Sequence, residues 1–218
     1  MIELLHTGPG FDAPWTASDD QYVIGGSPSE RYLELGAFAG GTFGLWEMTP
    51  GSTKGAGSSE VFAATGGAAR LVHGDRAVFE ATRGTVAQSL TGEDTEFHVS
   101  STLSKFYFMA EEDALASAEA RSGDLGADAG QLGVVAMADY GTWRVGEGVH
   151  HLPAQEAVIF VLEGSGTVAI ENEDNGSEDN EVVAIAPDSA LRVNGHEPTR
   201  WVVRTPVVAL RFTLSNDA

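Results

Sequence analysis

Gly44-Leu-Trp-Glu-Met-Thr-Pro-Gly51 decides the reading of this chain, because the chain carries it twice. Gly44 and Trp46 recur as Gly141 and Trp143, Gly51 recurs as Gly148 and Gly67 as Gly164, all at a spacing of 97. The far ends of the two copies also match. Phe97-His-Val99 answers to Trp201-Val-Val203 and Phe108 to Phe212, at a spacing of 104. A module has therefore been used twice, and the copies part at chemically telling places. Glu60 falls opposite Ala157, and Lys54 opposite His151.

Outward from that stretch the pattern is one of short β-rich runs broken by Gly, Asp and Thr. They are Leu33–Leu35, Phe43–Met48, Val61–Ala64, Ala69–Val72, Ala77–Glu80, Glu96–Val99 and Lys105–Ala110, and the pattern resumes from Val134 to Leu214. Strands of this length and spacing predict an antiparallel sandwich or barrel. Turn signals at Gly8-Pro-Gly10 and Gly25-Gly-Ser-Pro28 mark residues 1–31 as an N-terminal arm with one or two strands. The Ala/Glu-rich run 110–120 predicts the chain's helix, and Gly123–Gly133 reads as a linker. The expected organisation is an arm (1–31), a module (32–110), a helix and glycine-rich linker (111–133), and a second module (134–218). The acidic run Glu171–Glu181 reads as a solvated hairpin tip inserted in the second copy, which accounts for the change of spacing.

Composition excludes several function classes. There are 32 acidic residues against 12 basic ones, a net charge of −20. Such a surface repels nucleic-acid phosphates and anionic lipid, so neither a nucleic acid nor a membrane is expected as a partner. With no cysteine there is no disulfide, thiolate ligand or cysteine nucleophile. No apolar run has the length of a membrane span, and Met1–His6 lacks the basic start of a signal peptide. The expectation is a soluble, cytoplasmic protein. No Walker loop, dinucleotide fingerprint or G-x-S-x-G is present.

The stretch 44–51, followed by Glu60-Val-Phe-Ala-Ala-Thr-Gly-Gly67, resembles the cupin superfamily in its two-module form. It is most similar to the small cupins grouped with ureidoglycine aminohydrolase, which run W-E-x-x-P-G and then E-x-x-x-x-x-x-G. Phe97 and Lys105-Phe-Tyr-Phe108 fit the last element, and Ala157–Gly164 resembles the cupin strand that ends in V-L-E-G. The resemblance implies an all-β fold of two tandem double-stranded β-helix (jelly-roll) barrels. It also implies a His-x-His pair with a Glu four residues beyond it, aimed at one divalent metal, and a further His from a later strand, with the metal-binding copy C-terminal.

The residues depart from that ligand pattern. The first copy keeps Glu60 but has Lys54 and Ala56 at the histidine positions; the second has His151, Pro153 and Ala157. No cofactor is therefore expected. Instead the Lys54 ammonium is expected to stand where the metal would, paired with Glu60 inside the barrel. A shifted register in the second copy, using His150 or His151, Glu156 and His196, is the metal-dependent alternative. It would imply a hydrolase or dioxygenase. Trp46 and Trp143 are expected in the core or as lumen-facing platforms. His6, His73 and His98 carry no role. The function expected is binding of a small polar metabolite through Lys54, Glu60, Trp46, His151 and Trp143. The alternatives are the metal-dependent enzyme and a non-catalytic module that pairs as a homodimer.

Overall fold

The computed structural model describes residues 1–55, 59–73, 77–89, 95–110, 122–123, 130–135, 138–171 and 182–214. Among these every regular element is a strand. The strands of the N-terminal half are β1 (Ile2–His6), β2 (Thr16–Ala17), β3 (Val23–Gly25), β4 (Ser29–Phe38), β5 (Gly41–Met48), β6 (Gly51–Lys54), β7 (Glu60–His73), β8 (Ala77–Thr82), β9 (Val86–Ser89) and β10 (Thr95–Ala110). Then come β11 (Ser122–Gly123), β12 (Gly130–Val135), β13 (Ala138–Val145), β14 (Gly148–Leu152), β15 (Glu156–Ile170), β16 (Val182–Ile185), β17 (Ser189–Asn194) and β18 (Thr199–Leu214). The helix expected over 110–120 lies outside the described residues, except that Ala110 ends β10. No helix among the described residues is long and apolar enough to cross a membrane. Two short strands, β11 and β12, overlap the two ends of the glycine-rich stretch read as a linker.

The chain divides into two compact units. One comprises Gly10–Ala127 with Val134–Met137; the other comprises Met1–Pro9, Asp128–Gly133 and Ala138–Ala218. Each has its own antiparallel sheet. The order is β11-β9-β7-β10-β5-β4-β2 in the first unit and β1-β17-β15-β18-β13-β12 in the second. The equivalences predicted from the repeat appear in the pairing. β10 lies between β5 and β7 in one unit, and β18 lies between β13 and β15 in the other. The N-terminal strand β1 pairs with β17 and so completes the edge of the second unit's sheet.

Long strands curl both sheets. The C-terminal part of β10 pairs with β5 and the start of β7, whereas its N-terminal part pairs with β6 and the end of β7. Between these parts the β7–β10 register shifts from Val99 to Lys105, and the β15–β18 register shifts likewise between Val161 and Gly166. At each shift sits the repeated glycine, Gly67 (φ 77°) or Gly164 (φ 88°). A Cβ on either would overlap the backbone carbonyl oxygen of Thr102 or of Pro206. Only glycine combines that left-handed turn with so close an approach, so the strand bends there and the sheet curls.

The two interiors differ. In the second unit Ala157, Ile159, Val161, Leu191, Trp201 and Ala209 belong to one apolar cluster, with Trp143 packed against it. In the first unit the corresponding cluster is built on Met48, Phe62, Ala64, Phe97, Leu103 and Tyr107. It also encloses charge.

Candidate ligand-binding site

Strand alternation builds this site. Leu103, Lys105, Tyr107 and Met109 point to one face of β10, and Phe106 and Phe108 to the other. Opposite Lys105 and Tyr107 lie Trp46 and Gly44 of β5, and Phe62 of β7 faces Tyr107 on the other flank. Glu60 opens β7 across from Met109, on the same face.

On that face the Lys105 Nζ donates to both carboxylate oxygens of Glu60, at 2.6 Å to Oε1 and 2.7 Å to Oε2. Their side chains are 6% and 13% exposed, so the pair is largely out of water. The ammonium also lies 4.4 Å from the Trp46 ring centroid and 4.9 Å from those of Phe62 and Phe97. Ring faces carry negative potential, so the three aromatics solvate the cation on the sides Glu60 leaves open. The Trp46 indole N–H donates to Glu30 Oε2 at 3.0 Å.

Tyr107 stands beside this pair. Its phenol is pushed up to about 12 by burial first, then by the negative charge of Glu34 and Glu60 and by Tyr32. It is therefore a protonated hydrogen-bond donor at neutral pH. Its oxygen reaches over Gly44, where a Cβ would lie 2.9 Å away. A Cβ there would first meet the Leu33 carbonyl oxygen, so the repeated glycine serves the close approach of β4 as well as room for the tyrosine. Among the described residues no cation is in ion-pair contact with Glu30 or Glu34, so this face is acidic at its β4 rim.

Two of the expected site residues, Glu60 and Trp46, come together here, but the cation between them is Lys105 and not Lys54. The reason is one residue of phase. Thr53 turns into the first unit's interior, with its hydroxyl 3.7 Å from Met48 Sδ, so Ser52 and Lys54 on either side of it face outward. Lys54 is exposed and sits opposite Glu96 in the ladder. On that outward face Ser52 Oγ and His98 Nδ1 are 3.0 Å apart, and His98 Nε2 lies 2.8 Å from Glu96 Oε2. His98, expected to stand alone, ties β6 to β10. Ala56 lies outside the described residues.

Sequence reasoning missed Lys105. The signal was there: only two lysines occur in the chain, and one falls in Leu103-Ser-Lys-Phe-Tyr-Phe108, beside three aromatic residues. Period-two alternation puts that lysine and Tyr107 on one side.

In the second unit the equivalent residues do not form this site. Ala157 and Ala209 occupy the places of Glu60 and Lys105. Trp143 packs edge-on against Trp201, centroids 4.9 Å apart at 87°, and the Trp201 indole donates to Thr199 Oγ1 at 3.0 Å. His151, 58% exposed, meets Glu171 through Nδ1 at 2.6 Å. His150 bonds to the Gly146 carbonyl oxygen at 2.7 Å, Glu156 pairs with Arg192 at 3.1 Å, and His196 is exposed on the β17–β18 turn.

The divalent metal of the cupin pattern does not fit these residues. Glu60 already holds an ammonium where a metal would sit, and the second unit has an alanine there. Among the described residues no three His, Asp or Glu side chains converge on one point.

No family profile and no curated protein matches the chain by sequence. Solved structures match it by shape. A cupin 2 conserved barrel domain protein from Leptotrichia buccalis superposes with a TM-score of 0.60 at 9% identity, covering 85% of this chain and 89% of that one. A putative glyoxylate-induced protein from Pseudomonas aeruginosa gives 0.60 at 14% identity, covering 98% and 96%. Vicilin from Corylus avellana gives 0.54 at 9%, covering 94% and 84%. At such identities the likeness is one of fold, and it agrees with the curled antiparallel sheets: this chain has the cupin fold.

Proposed function

We propose that the chain is a two-barrel cupin, one barrel per compact unit, whose first barrel binds a small polar metabolite beside the Lys105–Glu60 pair. The observation that carries this reading is the contrast between the two units. A buried ion pair is a poor stabiliser beside well-packed apolar residues of similar volume. The same chain contains the apolar solution, Ala157 and Ala209 in a core sealed by Trp201. Where an apolar core suffices in one barrel, a charged pair kept in the other points to use. Glu34 and Glu30 offer acceptors, Tyr107 a donor and Trp46 a flat apolar wall. The ligand class is a small molecule with amine or amide donors.

The test is a calorimetric screen of free amino acids, ureides and small amines against the protein and its Tyr107→Phe and Trp46→Phe variants. Saturable binding that weakens about tenfold in each variant, ~1.4 kcal/mol, is expected. A ligand that binds both variants as tightly as the parent protein puts the site elsewhere and sinks the reading.

The likeness to ureidoglycine aminohydrolase-type cupins does not extend to a metal reaction in this proposal, because the donor set is replaced. Elemental mass spectrometry on untagged protein, purified without chelator or added metal, is expected to give far less than one equivalent of manganese, iron, nickel or zinc. A full equivalent would overturn this and direct attention to His150, His151, Glu156 and His196.

A further inference from the structure

Arg211 on β18 is the counterpart of Tyr107, facing Gly141 of β13 as Tyr107 faces Gly44. Its guanidinium lies 5.6 Å from the Trp143 ring centroid and is partly buried. Burial disfavours its charged form. In a chain with 32 acidic residues, it has no carboxylate in ion-pair contact among the described residues. Its one hydrogen bond there runs from Nη2 to Gln155 Oε1, at 2.6 Å, and its Nε, on the same edge of the fork, is buried without a partner.

That edge carries two parallel N–H groups and suits the two oxygens of a carboxylate. The Gln155 amide oxygen engages Nη2 and leaves Nε without a partner. Arg31 in the first unit shows both N–H groups of that edge engaged by a carboxylate, Nε at 2.8 Å and Nη2 at 2.7 Å from the one oxygen Glu47 Oε2. Gln155 belongs to the exposed loop between β14 and β15, so its amide can be displaced without disturbing the barrel. We propose that Arg211 is the anchor of a second ligand site, in the second unit, where a small carboxylate takes the place of the Gln155 amide oxygen on the Nε–Nη2 edge. The site is independent of the Lys105–Glu60 face and takes a ligand of opposite charge.

The test is nuclear magnetic resonance of the arginine Nε–Hε groups in the full chain, with Arg211 assigned by its loss in Arg211→Lys. Acetate is the probe, with acetamide as its neutral isostere and chloride to match ionic strength. Saturable movement of the Arg211 resonance with acetate, and none with acetamide or chloride, is expected. Gln155→Ala removes the competing oxygen from an exposed loop, so acetate is expected to bind it at least threefold more tightly. An Arg211 resonance that stays fixed overturns the proposal, as does one that moves no more than those of the exposed arginines. Weaker acetate binding by Gln155→Ala overturns the displacement.

Discussion

Replacing Glu60 by alanine is expected to destabilise the first unit by about 3–5 kcal/mol, and replacing Lys105 by alanine as well is expected to recover much of that loss. The single change strands the Lys105 ammonium, 6% exposed, with no counter-charge. The rings of Trp46, Phe62 and Phe97 do not compensate, because their contacts with the ammonium already exist in the parent protein. The double change removes the stranded charge and leaves the combination found at Ala157 and Ala209. Some cost remains, since removing two long side chains leaves a void in the first unit. Urea denaturation of the parent, both singles and the double closes the cycle. A Glu60→Ala cost under about 1 kcal/mol would mean that the ammonium reaches water, as in an exposed pair.

Gly67→Ala is expected to cost about 4 kcal/mol, with Gly164→Ala similar in the second unit. Two penalties add. The backbone at φ 77° is one that a residue with a Cβ adopts at a cost, and the new methyl would collide with the Thr102 carbonyl oxygen, which belongs to a rigid strand. The neighbouring Gly66→Ala is the control. A Cβ there meets nothing nearer than Ser104 Oγ at 3.8 Å, so its effect should stay within about 1 kcal/mol. Thermal unfolding of the three variants measures this, and equal effects at Gly66 and Gly67 would refute the corner assigned to Gly67.

These two sites mark how far the sequence could be read. The repeated glycines at 67 and 164 were legible as matching positions of the two copies, and their place at the bends of both long strands came from the structure, where a left-handed backbone meets a carbonyl. The difference between the interiors was also legible at Glu60 and Ala157, since a lone carboxylate on an inward position demands a cation. The choice of cation was not legible. Lys54 and Lys105 were both available, and a strand's facing reverses with every residue. Thr53, turned inward against Met48, fixes the phase of β6 and sends Lys54 to solvent.

His98 was missed for a related reason: Ser52 and Glu96 become its neighbours only once β6 lies beside β10. The half-satisfied fork of Arg211 depends on a loop residue 56 positions away in the chain. The destination of Ile2–His6 likewise had no local signal, for its partner β17 begins at Ser189.

By itself, then, the sequence determined the duplicated β architecture and the charge that Glu60 brings to one copy and Ala157 does not bring to the other. These follow from period-two alternation and backbone sterics, which act between neighbours. Tertiary structure alone decided that Lys105 meets Glu60, that Lys54 does not, and that no carboxylate among the described residues pairs with Arg211. Those outcomes turn on register and strand phase, where one residue of slip exchanges the inside of a barrel for its outside.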